Sequence, residues 1–395
     1  MKSYLLLLAT NRVVRTLSTI QLLSYFGAWF SNVAVYTLLI ALNVDASVIS
    51  ITAAMHFLAG VFQAPFSGVI IDKIAPKRLL ALLLGIEIIT TLLLLTIGGI
   101  DDIYWLYLLI FIRMGAASFY FTAEMTLLPT ILSGRELQTA NEIHSIIWSF
   151  SYSVGMALSG VLVYNVGVKG AFLLDAALFC IALVLLLRLR MDIRKRTTVG
   201  KSFLTMFAET FAYVMRKRRV LALMLLHASV GVTAFDALVA LIADRYYLSV
   251  VGASIAIGSI HAFRAIGLVV GPILFAKRIN DRNLTYLFIF QAVSISIWAA
   301  VIEHFYLSLF VSIAVGLCTT TLWSYTYTML QRETNREFYG RIIAYNDMLF
   351  LSVSVATSLL IGYLAKIGYD LHVITAILAS AFLLTALYYK VWVEK

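Results

Sequence analysis

Residues 68–78 read GVIIDKIAPKR, and their surroundings make them conspicuous. A glycine, an aspartate, a proline and three cations are packed between long apolar runs. Of the 395 residues, 62% are hydrophobic and only 13% are charged, with a mean hydropathy of +0.95. A soluble domain carries about 25% charged residues. At half that level the solvent for much of the chain is lipid. There a spanning segment must satisfy its own backbone polar groups, which a helix does. The charged stretch is therefore a loop between two membrane crossings.

Working outward from it, charged and Gly/Asn-rich points cut the chain into twelve apolar segments. They are 16–42, 47–71, 79–99, 104–128, 142–164, 169–188, 220–243, 252–275, 284–302, 305–329, 342–364 and 371–391. Each suits a helix crossing a core of ~30 Å. With residue 1 placed inside, 25 of the 30 lysines and arginines fall in inner segments. Only Lys169, Arg245 and Lys366 fall outside, and Arg113 and Arg264 lie within spans. This asymmetry predicts that both ends of the chain face the cytoplasm. It also assigns the net charge of +10 to one membrane face, so nucleic acid is not an expected partner. The apolar run from Thr16 is too long for a signal-peptide core and lacks a small-residue cleavage site, so no cleaved leader is expected. Cys180 and Cys318 read as buried thiols without disulfide or metal spacing.

The longest inner loop follows the sixth segment. It carries RLRMDIRKRTTVGKS (188–202) and MRKRR (215–219) around the apolar SFLTMFAETFAYVM (202–215). The domain organisation expected is a six-helix bundle over 1–190, a basic cytoplasmic linker over 191–219 with an interfacial helix, and a second six-helix bundle over 220–395. The linker is expected to act as a tether. The halves echo each other. LPTILSGRELQTANEIHS (128–145) and LQRETNREFYGRIIAYND (330–347) each place an Arg-Glu pair before an Asn that opens the next helix. Gly160 and Gly167 follow in one half, Gly362 and Gly368 in the other.

Two repeated six-helix halves describe the major facilitator architecture. The opening stretch resembles the signature of that superfamily in Gly68, Asp72, Lys73, Lys77 and Arg78. Ala75 replaces its second glycine and Pro76 one trailing cation. The resemblance implies a cytoplasmic latch. Gly68 would let two helices approach, Asp72 would accept N–H bonds at the start of the eleventh span, and Lys77 and Arg78 would sit at the headgroups. NRVVRTLSTIQLLSYFGAWFSNVAVYTLLI (11–40) and LPTILSGRELQTANEI…GMALSGVLV…GAFLLDAALF are similar to the bacterial drug-export branch with macrolide and siderophore exporters. That implies two bundles rocking about a central site, driven by proton entry. One departure is SVGMALSG (153–160), which lacks the Gly-Pro pair of antiporter signatures.

Polar residues inside spans face the bundle or a wet cavity, because lipid penalises them. Gln21, Tyr25, Trp29, Asn32 and Tyr36 step by 4, 4, 3 and 4 along one helical face. His56, Gly60, Gln63 and Ser67 share a face in the second span, and Arg113, Ala117, Tyr120 and Glu124 in the fourth. Asn141, Ser145, Trp148 and Tyr152 do so in the fifth span, and Ser229, Thr233 and Asp236 in the seventh. The tenth span contributes Trp323 and Tyr327. Gln21, Tyr25, Trp29, Asn32, Tyr36, Tyr120, Trp148, Tyr152, Trp323 and Tyr327 are the expected cavity lining. Many rings and few charges suit an amphiphilic small molecule, drug-like or siderophore.

Asp236 is the leading proton-coupling acid, with Glu87, Glu124 and His261 behind it. Depth along the helices pairs Asp236 with His261 or Arg264, and Glu87 with Arg113. Glu124, near the inner edge, is expected to meet solvent, and Asp175 looks structural in the family pattern. The six histidines are scattered, and no HExxH, GxSxG or phosphate-binding glycine loop appears. No enzyme activity, cofactor or metal is expected. The expectation is an all-α, twelve-helix, monomeric multi-pass protein of the cytoplasmic membrane, a multidrug-type efflux antiporter exporting an amphiphile against protons, with membrane lipids as partners. The alternatives are a lysophospholipid facilitator or flippase, or a uniporter without proton coupling.

Overall fold

In a computed structural model of the protein, residues 2–64, 66–190, 203–275, 278–335 and 337–394 are described. They form α1 (Lys2–Thr10), α2 (Arg12–Ala41), α3 (Ala46–Gln63), α4 (Ser67–Lys73), α5 (Pro76–Leu93), α6 (Ile103–Ile131), α7 (Gly134–Arg188) and α8 (Phe203–Arg216). These are followed by α9 (Arg218–Ala228), α10 (Asp236–Ile242), α11 (Leu248–Val251), α12 (Ala253–Phe275), α13 (Leu284–Val301), α14 (Phe305–Glu333), α15 (Tyr339–Lys366) and α16 (Leu371–Tyr388). Eleven helical stretches among the described residues are long and apolar enough to cross a membrane. Every regular element among the described residues is helical, as in a multi-pass membrane protein.

Local chemistry explains the ends. The Asn11 side chain accepts from the N–H groups of Val13 (3.0 Å) and Val14 (3.1 Å), capping α2. Pro76 opens α5, where a missing N–H costs nothing. The 55 residues of α7 would extend about 80 Å at 1.5 Å per residue, far beyond a ~30 Å core. Its backbone breaks at Gly167, with φ 74° and ψ 173°. Gly368, the partner of Gly167 in the sequence echo, also has positive φ, at 92°. Both positions need a residue without Cβ to leave the helix in this way.

Compact packing divides the chain into two units: 1–44, 66–197 and 252–262 in one, and 45–65, 198–251 and 263–395 in the other. In the first, α2 lies along α7, and α5 packs on α6 and α7. In the second, α3 lies along α15, α13 packs on α14 and α16, and α9 sits between α14 and α15.

The two echoed glycines Gly160 and Gly362 do the same job in different units. A Cβ on Gly160 would come within 2.7 Å of the Ser254 carbonyl oxygen, and one on Gly258 within 2.9 Å of the Gly160 nitrogen. Thus α7 and the first turns of α12 touch backbone to backbone. A Cβ on Gly362 would collide with the Ser50 side chain of α3. Gly160→Val should force α7 from α12 and destabilise the protein by about 1–3 kcal/mol, the usual range for overpacking. A melt of detergent-solubilised protein reads this, and an unchanged midpoint would contradict the contact.

One expectation for the thiols is corrected. Cys318 is buried, but Cys180 is exposed. It lies on the outward stripe of α7, whereas Phe179 and Ala182 beside it point to the core.

Candidate functional site

The first unit holds a set of charges inside its spans. The Arg113 guanidinium on α6 donates to the Asp175 carboxylate on α7 at 2.6 Å, and both are buried. Ser31 on α2 donates to the same carboxylate, and Phe179 lies 6.0 Å below the guanidinium. The depth expectation joined Arg113 to Glu87. The structure instead gives Asp175 as its partner, because equal depth says nothing about which way a helix face turns. Glu87 on α5 is only 4% exposed, and Glu124 on α6 only 3%. Glu124 therefore does not meet solvent as expected. It lies on the buried stripe with Tyr120, Ala123 and Leu127. Among the described residues neither carboxyl forms an ion pair. Tyr25 and Tyr120 both lie within electrostatic reach of Glu87 and Glu124.

The same unit holds an aromatic cluster. Trp148 stacks on Tyr152 at 5.6 Å, nearly parallel, and Trp29 meets Tyr152 edge-on at 4.9 Å. Tyr25 and Phe121 flank the His144 ring at 6.3 and 5.3 Å. Gln21 donates to the His144 carbonyl at 3.2 Å. The Tyr152 hydroxyl is 3.4 Å from His261 Nδ1. Asn32 and Tyr36 continue the buried face of α2. A groove of about 660 Å³, lined by Tyr4, Gln138, Asn141, Glu142 and Ser145 among others, follows the same α7 stripe toward Trp148. The sequence reading passed over His144, although it lies four residues before Trp148 and hence on its face.

The second unit presents a matching cluster. His227 Nδ1 is 2.9 Å from the Thr326 hydroxyl. Its ring lies 5.5, 5.3 and 5.8 Å from those of Trp323, Tyr327 and Phe350. Trp323 stacks on Tyr327 at 5.0 Å. Among the described residues the buried Trp29 Nε1, the Tyr120 hydroxyl, His144 Nε2 and His227 Nε2 have no hydrogen-bond partner. Buried polar atoms are normally satisfied, so these four leave unused hydrogen-bonding capacity beside the aromatic clusters.

The seventh span differs from its expected continuous helix. Helix α9 ends at Ala228, a 3₁₀ segment covers Ser229–Thr233, and α10 begins at Asp236. Ser229, Thr233 and Asp236 thus do not form one helical stripe. Gly231 and the branched Val230, Val232 and Thr233 weaken the helix locally. Arg264 holds the break open, donating to the Thr233 carbonyl at 3.0 Å and lying 5.0 Å over the Phe235 ring. Broken helices inside a membrane occur where they line a polar site.

Of the signature loop, the side chains of Gly68 and Asp72 lie outside the described residues. Lys73 and Arg78 are exposed. Lys77, expected at the headgroups, donates instead to the carbonyls of Leu187 and Leu189, both at 2.8 Å. It closes the end of α7, where a cation also suits the helix dipole.

Residues 17–358 match the Major Facilitator Superfamily. The chain belongs to that superfamily. Two relatives from Bacillus subtilis (strain 168), the uncharacterised MFS-type transporters YfiS and YkuC, are 26% and 23% identical over 188 and 223 residues. The matches cover 47% and 54% of this chain, and 44% and 52% of theirs, so the chain spans about half the length of these curated relatives. Among solved structures, a point mutant of the nucleoside transporter NupG superposes with a TM-score of 0.76 at 14% identity, covering 95% of this chain and 98% of that one. A bacterial homologue of the iron transporter ferroportin, in its inward-facing state, gives 0.69 at 15%, covering 96% and 98%. These likenesses agree in a Major Facilitator fold.

Proposed function

We propose that this Major Facilitator protein is a secondary active exporter of an amphiphilic small molecule, drug-like or siderophore, working by alternating access in exchange for protons across the cytoplasmic membrane. The observation that carries the reading is the pair Glu87 and Glu124, buried in spans, without an ion pair among the described residues, and within electrostatic reach of Tyr25 and Tyr120. A buried carboxyl in lipid is tolerated when a proton or a positively charged group neutralises it. A site that accepts either one lets cargo and proton displace each other. Stacked rings accept apolar and cationic surfaces of many shapes.

Glu124 is the primary proton carrier in this reading, and Asp236, which opens α10 at the break of the seventh span, is the second. The acting unit is a monomer of twelve crossings in two six-helix halves, 1–190 and 220–395. Asp72 serves as a cytoplasmic latch on the eleventh span. Counterflow in proteoliposomes with dyes, macrolides, siderophores and lysolipids tests the cargo. Exchange of a dye, macrolide or siderophore is expected, and exchange confined to lysolipids would replace the reading with that of a lipid facilitator.

The proposed topology has its own check. In a background with both cysteines replaced, Asp101→Cys is expected to react with an impermeant thiol reagent applied to intact cells, and Arg190→Cys is not. The reverse pattern would invert the protein in the membrane.

A further inference from the structure

The helix α8, between the end of α7 and the start of α9, is more than a tether. One side of it grips the connection between α14 and α15 through an unbroken ladder of contacts. Glu209 pairs with Arg341 at 3.3 Å. The Arg341 guanidinium lies 4.8 Å over the Phe338 ring, and Phe338 stacks on Tyr213 at 4.3 Å, with 12° between the planes. The Lys217 ammonium lies 5.4 Å over the other side of this stack, at the Tyr213 ring, and donates to the Asn335 side chain at 3.0 Å. The Tyr213 hydroxyl accepts from the Asn335 backbone N–H at 3.0 Å. Arg219 adds a pair with Glu333 at 2.8 Å. Thr210 and Val214, on the gripping side, are buried.

The opposite side is different in kind. Ala208, Phe211, Ala212 and Met215 are exposed, and step by 3, 1 and 3 along one helical stripe. Phe211 is 58% and Met215 55% exposed. Next to them come Arg216 and Arg218, exposed and without an ion pair among the described residues. An apolar stripe flanked by cations is the chemistry of a helix lying in a membrane interface, with attraction to anionic lipid. In the proposed topology the cations on either side of α8 place it between the sixth and seventh spans at the cytoplasmic headgroup layer.

We propose that α8 is a lipid-reading strap. Its Ala208–Met215 stripe and the cations Arg216 and Arg218 seat in an anionic phospholipid surface, and that seating steadies the Tyr213–Phe338–Arg341 ladder on the loop that starts α15. Lipid composition then sets how firmly the α14–α15 connection is held, independently of which cargo the protein carries. Each surface cation strengthens seating about fivefold, so removing two weakens it about 25-fold.

The test uses the full chain in nanodiscs of phosphatidylcholine alone or with phosphatidylglycerol. Amide exchange is followed in residues 333–341, and the depth of a label on Met215→Cys is read by lipid-borne quenchers. Phosphatidylglycerol is expected to slow exchange in 333–341 and to deepen the label in the parent. Arg216→Gln/Arg218→Gln should lose both responses. This double variant keeps every ladder contact, so its fold is checked by exchange in α13 (Leu284–Val301), outside the readout segment, which should match the parent. Tyr213→Ala should keep the deep label but lose the protection of 333–341, which separates seating from grip. Equal exchange in the two lipids, or an undiminished response in the double variant, would overturn the proposal.

Discussion

Asp175→Ala is expected to cost the protein about 3–5 kcal/mol, the range for removing one partner of a buried ion pair. The Arg113 guanidinium cannot shed its proton, and with Asp175 gone it would be left buried and charged between α6 and α7. Ser31, which also donates to Asp175, would lose its acceptor. The melting temperature of detergent-solubilised protein should fall steeply. Much of the loss should return in Arg113→Met/Asp175→Leu, because apolar replacement of both members of such a pair is often neutral or better. Recovery of stability without recovery of transport would show that the pair serves the moving protein as well as the resting one. A single variant that melts with the parent would remove the pair from the framework of the first unit.

Glu124→Gln is expected to abolish concentrative export while leaving cargo binding in place. The amide keeps the shape of the acid and its place between Tyr120 and Leu127 on α6, but neither takes up a proton nor balances a cation. Coupling between two ligands on one protein is typically worth about 1–3 kcal/mol, or roughly 5–150-fold. Loss of the proton at one partner should therefore reduce gradient-driven accumulation by at least about fivefold. Asp236→Asn should give a smaller, severalfold loss, and counterflow without a gradient should survive in both. If Glu124→Gln accumulates cargo as the parent does, the carboxyl on α6 is not the carrier. The Asp236 result then decides whether the break in the seventh span takes that role.

Apolar run length and the cation count made most helical segments legible, whereas α3 ends at Gln63, α7 begins at Gly134 and runs through the fifth and sixth segments, and the seventh segment is broken. The glycine echo carried further than its weak signal suggested. Gly160 and Gly362 each mark a close helix approach, and Gly167 and Gly368 share a positive φ. What failed was azimuth. Depth along a helix follows from counting residues, but the side on which Arg113 finds its partner depends on how α6 turns against α5 and α7. The first unit therefore paired Arg113 with Asp175 instead of Glu87. The break at Ser229–Thr233 was invisible for a related reason. Gly231 and its branched neighbours weaken a helix without dictating a break, and the Thr233 carbonyl accepts both from the Phe235 N–H and from Arg264 of a different helix. His227 was visible as a polar residue in an apolar run and His144 within the polar stretch 141–145, yet only their ring neighbours show them to be centres of aromatic clusters. The grip of α8 on Phe338 and Arg341 joins segments more than a hundred residues apart, and no periodicity announces it.

The central claim is exchange of an amphiphile for protons. Its most direct test is accumulation of the cargo found by counterflow, measured in everted vesicles energised by a proton gradient, before and after an ionophore collapses that gradient. The account expects accumulation that dissipates on collapse, with Glu124→Gln vesicles at the collapsed level from the outset. Accumulation indifferent to the gradient, or counterflow with no accumulation under any gradient, would contradict it and leave a facilitator in its place.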